Sequence, residues 1–542
     1  MHPPKIPRER NGGVQVAHMF WSIILPRMPL VVSTTFGHVV TGAPAKTWDL
    51  KFHICWTFVR NFLRDSKNLT VEAVQSYTMH PIPGPIHYCT EPFTIPNESR
   101  ARAATYLGAL LKGQEEIIGW NWQDEDRLNA CGPLKGEWIY RKVQPEEQLA
   151  PKSQSDFARS PSFHSIPRSN SFFSSSSSLF SSSSSLLGKK LDRVIYYLHG
   201  GAYYLCSTYT HRRLIAKVAK RSAAKVFAIN YRLAPQHPFP AALHDALAGY
   251  LYLISPPAGS GEKPIDPKKI VIMGDSAGGG LALSLLLALR DSGLPLPAGA
   301  ACMSPWVDLT HAFPSIVDNS KTDYIPANGF SHLMSPAQDY SLLPKPVTNS
   351  PSDAEEKSAS DGAHLPPPLA ELNKLRRLHF YAPNTALRLP LVSPVYAKDL
   401  GGLPPLLIQL GGGEMVRDEG IFLAHKAASG RGELPPTDVT LQVYEDMPHV
   451  FQMFQFLPVS HAAVRQLGEF TRQVTSTAGS LLELPKEKPA DVLKRMRVNS
   501  LGYLLEEESG PMIDVDTWEQ RYLQRDLLHR LREFFLHGRI II

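Results

Sequence analysis

Three widely separated residues could together make a nucleophile at neutral pH: Ser276, an acid within the run 414–419, and His449. A serine hydroxyl is a weak nucleophile alone. It needs a base to take its proton and a carboxylate to hold that base in the right tautomer. Ser276 stands in Gly274-Asp275-Ser276-Ala277-Gly278, between the apolar runs 270–273 and 281–286. That order reads as strand, tight turn, helix, and such a turn lifts the serine hydroxyl clear of the sheet. The pattern alone is as often a structural turn as a nucleophile, so the partners decide. Residues 194–198 read as a buried strand ending in His199-Gly200-Gly201-Ala202-Tyr203. Glycines there free backbone N–H groups to meet an oxyanion, and the expected donors are Gly200, Gly201 and Ala277. His199 is read as holding the loop, not as moving protons, and Asp275, Gly274 and Gly278 as shaping the turn.

The acid and the base require two further strands. Residues 406–410 form an apolar strand followed by Gly411-Gly412-Gly413-Glu414-Met415-Val416-Arg417-Asp418-Glu419, which puts carboxylates at a strand end. Residues 439–444 form another, read as the last, and Glu445-Asp446-Met447-Pro448-His449 then delivers a histidine into a loop. Serine, acid, histidine is one of the known chain orders of a catalytic triad.

In its motifs the chain resembles the hormone-sensitive-lipase-like branch of the α/β-hydrolase family (fold 3), especially fungal members such as steryl acetyl hydrolases. The likeness rests on residues 199–203, on residues 230–245 (Asn230-Tyr231-Arg232-Leu233-Ala234-Pro235 onward), on residues 274–279 and on residues 393–397. It covers residues 190–310 and 390–475. The resemblance implies a mostly parallel sheet with helices on both faces, a helical cap from the N-terminal region and residues 310–390, and hydrolysis of carboxylic esters with no metal or organic cofactor. It also implies structural roles for Arg232 and Asp245. Where most members carry aspartate the chain has Glu414, which is preferred to Asp418 as the partner of His449. Asp418 falls one helical turn on, where the start of a helix favours negative charge. Some relatives of this fold have lost the histidine and bind small ligands without catalysis; a silent receptor is therefore the competing expectation.

Composition bounds the rest. The chain has 542 residues, 43% of them hydrophobic, with a formal charge of +6. That supports a large core and extra segments, and scattered basic residues argue against nucleic acid as partner. Five widely spaced cysteines suit a reducing compartment and buried thiols. The apolar stretch 19–40 is interrupted by Pro26, Arg27 and Pro29 and does not read as a spanning helix, nor does it carry a secretory cleavage site. The expected location is cytoplasmic or peripheral to the endoplasmic reticulum or a lipid droplet. Trp48, Phe52, Trp56, Phe58 and Phe62 leave two readings open, core packing or an amphipathic membrane-facing segment. Residues 151–190 are serine-rich and expected to be a disordered loop, in which Arg159-Ser160-Pro161-Ser162 and Arg168-Ser169-Asn170-Ser171 match kinase spacings also expected by chance. Residues 344–368 read as a soft insertion. The expected divisions are 1–105 (cap or membrane-facing), 106–475 (catalytic) and 476–542 (a helical extension carrying one amphipathic helix over 516–537).

Overall fold

The computed structural model describes residues 27–81, 85, 87–142, 192–346, 367–476 and 492–536. The serine-rich stretch with its kinase-like spacings, most of the 344–368 insertion, and residues 19–26 lie outside these.

The centre is a ten-stranded sheet in the order β1-β2-β4-β3-β5-β6-β7-β8-β9-β10. Its parallel part is β3 (Val194–Leu198), β4 (Lys225–Asn230), β5 (Ile270–Asp275), β6 (Gly299–Met303), β7 (Leu406–Gly411), β8 (Val439–Tyr444) and β9 (Leu493–Val498). β1 (Tyr88–Ile95), β2 (Leu134–Arg141) and β10 (Leu504–Ser509) run antiparallel at the edges. The central strands are apolar on both faces because helices cover both. Tyr196, Leu198, Phe227 and Ile272 point into one core, while Ile195, Tyr197, Val226 and Met273 point into the other.

Helices α1 (Met28–Thr41), α2 (Leu50–Asp65) and α3 (Val71–Thr78) precede the sheet, and α4 (Asn97–Leu110) follows β1. On one face α5 (Thr208–Ser222) packs against α9 (Pro458–Val474); on the other, α6 (Ala241–Ile254) packs between α4 and α7 (Ala277–Asp291), with α8 (Arg417–Ala428) over β7 and β8. Trp48, Phe52 and Trp56 are buried with Tyr444, Phe451 and Phe454, so those aromatics take the core-packing reading, while Phe62 stays 48% exposed.

Three expectations change. The 476–542 stretch is not simply helical: β9 and β10 lengthen the sheet beyond β8. Their charged sequence conceals them, since Lys494, Arg495 and Arg497 pair across the hairpin with Glu507, Glu508 and Glu506 at 2.6, 2.6 and 2.8 Å. Cross-strand pairs of opposite charge let exposed edge strands dispense with an apolar face. The helix expected over 516–537 is broken as well. Its first part, Val515–Leu523, ends in a π turn, and α10 (Leu527–Leu536) starts anew where the Asp526 carboxylate accepts the Leu528 N–H at 3.0 Å. Arg388 satisfies the carbonyls of Leu523 and Arg525 left open by the break. β1, likewise, falls inside residues 1–105 yet is an edge strand of the sheet.

Candidate active site

Ser276 occupies the turn between β5 and α7 with φ 52° and ψ −123°. For a non-glycine residue this costs roughly 1–3 kcal/mol, and it aims the side chain away from the sheet. The turn closes because a side chain on Gly274 would strike the carbonyl of Gly278, and one on Gly278 would strike the carbonyls of Leu198 and His199. Both glycines are thus fixed by close backbone approach.

His449 Nε2 lies 2.7 Å from Ser276 Oγ, and its Nδ1 lies 3.1 Å from Glu414 Oε2. Since a carboxylate only accepts, Nδ1 carries the proton toward Glu414 and Nε2 is left to accept from the serine. The other carboxylate oxygen of Glu414 accepts the Gly411 N–H at 3.0 Å. Glu414 is fully buried, and burial pushes its carboxyl up while the bond to His449 pulls it back. For His449, burial alone would lower the imidazole. The hydrogen bond and charge of Glu414, with the charges of Asp323 and Asp275, outweigh it and raise the value. Asp418 is not brought to the histidine: it accepts the Ser315 N–H at 3.0 Å at the start of α8.

The expected oxyanion donors divide. The Gly200 N–H donates to Asp275 Oδ1 at 3.2 Å, so it is already spent. The next residues, Gly201 and Ala202, turn through left-handed backbone with φ 114° and 51°, and both line the cavity in front of Ser276. Among the described residues no group accepts their N–H bonds or that of Ala277. The N–H groups left open in front of Ser276 are thus those of Gly201, Ala202 and Ala277, one residue along the loop from the expected set. The motif spacing could not show it because the competing acceptor is a side chain 75 residues away.

Asp275 ties this region together. It also accepts from Tyr197 Oη at 2.7 Å and contacts His211 Nε2 at 3.2 Å on α5. His199 is buried, stacked 4.3 Å from Tyr231, and held down to about 3 by burial, so it stays neutral in the wall. Asp245 pairs with Arg232 at 3.0 Å and Arg100 at 3.1 Å, away from the serine.

Asp323, which no motif marks, is fully buried beside the relay. Its carboxylate accepts the N–H of Met415 at 2.7 Å and that of His449 at 3.3 Å, clamping the acid turn to the histidine loop. Around it Thr322 Oγ1 donates to the Gly413 carbonyl at 2.7 Å, Asn319 Nδ2 to the Glu414 carbonyl at 2.8 Å, and Trp56 Nε1 on α2 to the Thr322 carbonyl at 3.1 Å. A lone aspartate after Lys321-Thr322 gives no sequence signal, because its partners are backbone groups of distant loops.

The cavity in front of Ser276 measures about 230 Å³ and is mostly apolar, with Leu63, Leu205, Trp306, Ile316, Phe330 and Met453 among its walls. Leu63 comes from α2, and Ile316 and Phe330 from the segment between β6 and β7, so both expected cap segments reach the site. Among the described residues no cluster of three His, Cys, Asp or Glu side chains is placed to hold a metal ion.

A parallel sheet with a serine on a strained strand-to-helix turn, relayed through histidine to a buried carboxylate, defines a hydrolase-type α/β protein. The family model for the alpha/beta hydrolase fold matches residues 195–338 and 330–453. An acetyl-hydrolase of Streptomyces hygroscopicus is 35% identical over 285 residues, covering 52% of this chain and 76% of that one. An esterase of Acinetobacter venetianus is 30% identical over 279 residues, covering 51% and 74%. The chain belongs to the alpha/beta hydrolase fold family. A crystal structure of an esterase from the bacterial hormone-sensitive lipase family aligns with a TM-score of 0.45 at 25% identity, covering 83% of this chain and 99% of that one.

Proposed function

We propose that this chain is a serine carboxylic ester hydrolase of the hormone-sensitive-lipase-like branch, acting on short-acyl esters of a hydrophobic alcohol. The observation that carries the reading is the unbroken relay Ser276–His449–Glu414 at 2.7 and 3.1 Å, opening on an apolar cavity. Ser276 Oγ attacks the acyl carbonyl as His449 Nε2 takes its proton, and Glu414 stabilises the imidazolium. The N–H groups of Gly201, Ala202 and Ala277 receive the oxyanion. His449 then protonates the leaving alcohol, and water, activated by the same histidine, releases the acid and restores Ser276.

The small cavity and the similarity to an acetyl-hydrolase support a short acyl group, and its apolar walls a hydrophobic alcohol such as a sterol, as the likeness to fungal steryl acetyl hydrolases suggests. A chain-length series of p-nitrophenyl esters beside a steryl acetate tests this: the expected optimum is at short acyl chains, about two to four carbons, falling off as the chain lengthens. A rate that climbs through eight carbons or more overturns the short-acyl reading. The silent-receptor alternative predicts no labelling of Ser276 by a fluorophosphonate, whereas the relay predicts stoichiometric labelling.

A further inference from the structure

Helix α1 leaves a large apolar face exposed. Met28, Val32, Phe36, Val39 and Val40 fall within one arc of about 120° on a helical wheel, and each is between 41% and 77% exposed. The arc facing α2 is mixed: Leu30 and Val31 are half-buried, Thr34 is buried, and His38 Nδ1 meets His53 Nδ1 of α2 at 3.1 Å. A surface helix bathed in water normally turns its apolar arc inward. No Asp, Glu, Lys or Arg interrupts residues 28–41, and no helix among the described residues is long and apolar enough to cross a membrane.

We propose that α1 lies flat on an anionic lipid surface and seats the mouth of the reaction cavity against it. Two observations favour lipid over other occupants. Over residues 27–69 Arg27, Lys46, Lys51, Arg60, Arg64 and Lys67 stand against only Asp49 and Asp65, so the segment that carries the arc is net positive even though Arg27 pairs with Asp65 at 2.9 Å. That balance complements acidic headgroups and opposes pairing with a second copy of itself. α1 also begins close to the cavity wall. The Arg27 guanidinium, one residue before α1, sits 5.9 Å from the ring of exposed Phe62 on α2, and the next residue of α2, Leu63, lines the cavity together with half-exposed Met453. Lipid held against α1 would thus lie near the reaction cavity.

This inference goes beyond ester hydrolysis and is tested without turnover. The full chain is sedimented with vesicles of phosphatidylcholine containing phosphatidylserine, and with vesicles of phosphatidylcholine alone. The expected result is co-sedimentation with the anionic vesicles, weakened by salt, and reduced about tenfold or more by the double variant Phe36→Glu/Val39→Glu, because burial of the apolar arc supplies the adhesion. Both positions are exposed, and an unchanged thermal transition verifies that the variant folds. Hydrogen exchange over residues 28–41 separates the occupants. Slowing that appears only when vesicles are added supports lipid. Slowing already present without vesicles and lost on deleting residues 1–26 would assign the arc to the chain's own apolar residues 19–25. A concentration-dependent dimer dispersed by the variant would assign it to a second copy. Either result, or equal sedimentation of variant and parent, overturns the proposal.

Discussion

At the scale of single residues, the relay makes sharp demands. Replacing Ser276 with alanine should lower kcat by about four to six orders of magnitude while leaving the thermal transition in place, as steady-state kinetics and melting would show. His449 must be neutral to act as base. Its value is raised above the ordinary 6.5, chiefly by Glu414 working against burial, so kcat/KM should climb with pH through a point above 6.5. Glu414→Gln removes both the charge and the proper acceptor; the rate should fall about ten-thousandfold, as in the serine-protease precedent, and the residual acidic limb should move to lower pH. Asp418→Asn should keep the limb in place, because that carboxylate serves Ser315. Asp323 gives a third test. Glu414, Asp323 and Asp275 are the charges that act on His449. Asp323→Asn exchanges one accepting oxygen for an amide that cannot receive an N–H, so kcat should fall about ten- to hundredfold with little change in KM. A limb displaced to lower pH would mark the lost charge; a limb unmoved together with a normal kcat would leave Asp323 a simple loop tie.

Elements set these distances, and their contributions can be measured separately. α2 braces the acid turn from outside through Trp56, which is buried and donates to the Thr322 carbonyl. Trp56→Ala should cost about 3–5 kcal/mol in denaturant unfolding, the range for emptying a buried aromatic site, and lower kcat as well. A matching ΔΔG with unaltered kcat would show that the brace supports the fold alone. α5 meets β5 through His211 and Asp275. The folded-state value of His211 is raised because Asp275 outweighs burial, so this pair stabilises fully below 6.5 and its contribution fades as pH rises through the higher folded value. The difference in Tm between the parent and His211→Gln should therefore shrink from pH 6 to pH 9. Much at this scale was legible beforehand. The apolar runs before Ser276, Glu414 and His449 gave β5, β7 and β8, because a buried parallel strand must be continuously hydrophobic. β9 and β10 were hidden because the only buried apolar residues of β9 are Leu493 and Val498 at its ends, with charged residues between them that pair with glutamates of the exposed β10. The break before Leu527 was hidden because the same amphipathic pattern runs through it, and only the capping role of Asp526 marks a new start. At the site, the order of serine, acid and histidine could be read from the chain, but the engagement of the Gly200 N–H and the clamp by Asp323 depend on acceptors distant in sequence.

For the whole molecule, the sheet also says where the chain can be cut short. Arg141 and Val194, which bracket the serine-rich stretch, belong to strands on either side of β4 and lie near its start, where Ile139 pairs with Val226 and Val194 with Lys225. Two strand spacings, about 10 Å, separate them. Replacing residues 153–186 by a short glycine-serine linker should leave Tm in place and short-ester hydrolysis within about a factor of two, since loop-closure cost varies slowly with length. Aggregation of the shortened chain would show that the stretch packs on the domain. A last consequence follows from the carboxylate of Asp275, the neighbour of Ser276, which grips the Gly200 N–H. The turn that carries Ser276 Oγ and the loop of the proposed oxyanion donors are thereby yoked to a single side chain. The segment from Leu205 to Cys206 and the α2 wall can accordingly be rebuilt for bulkier guests without retuning the chemistry. A library randomised at Leu63, Leu205 and Ile316 should yield many variants altered in substrate choice but still labelled by a fluorophosphonate, whereas one randomised at Asp275 should yield few that label at all.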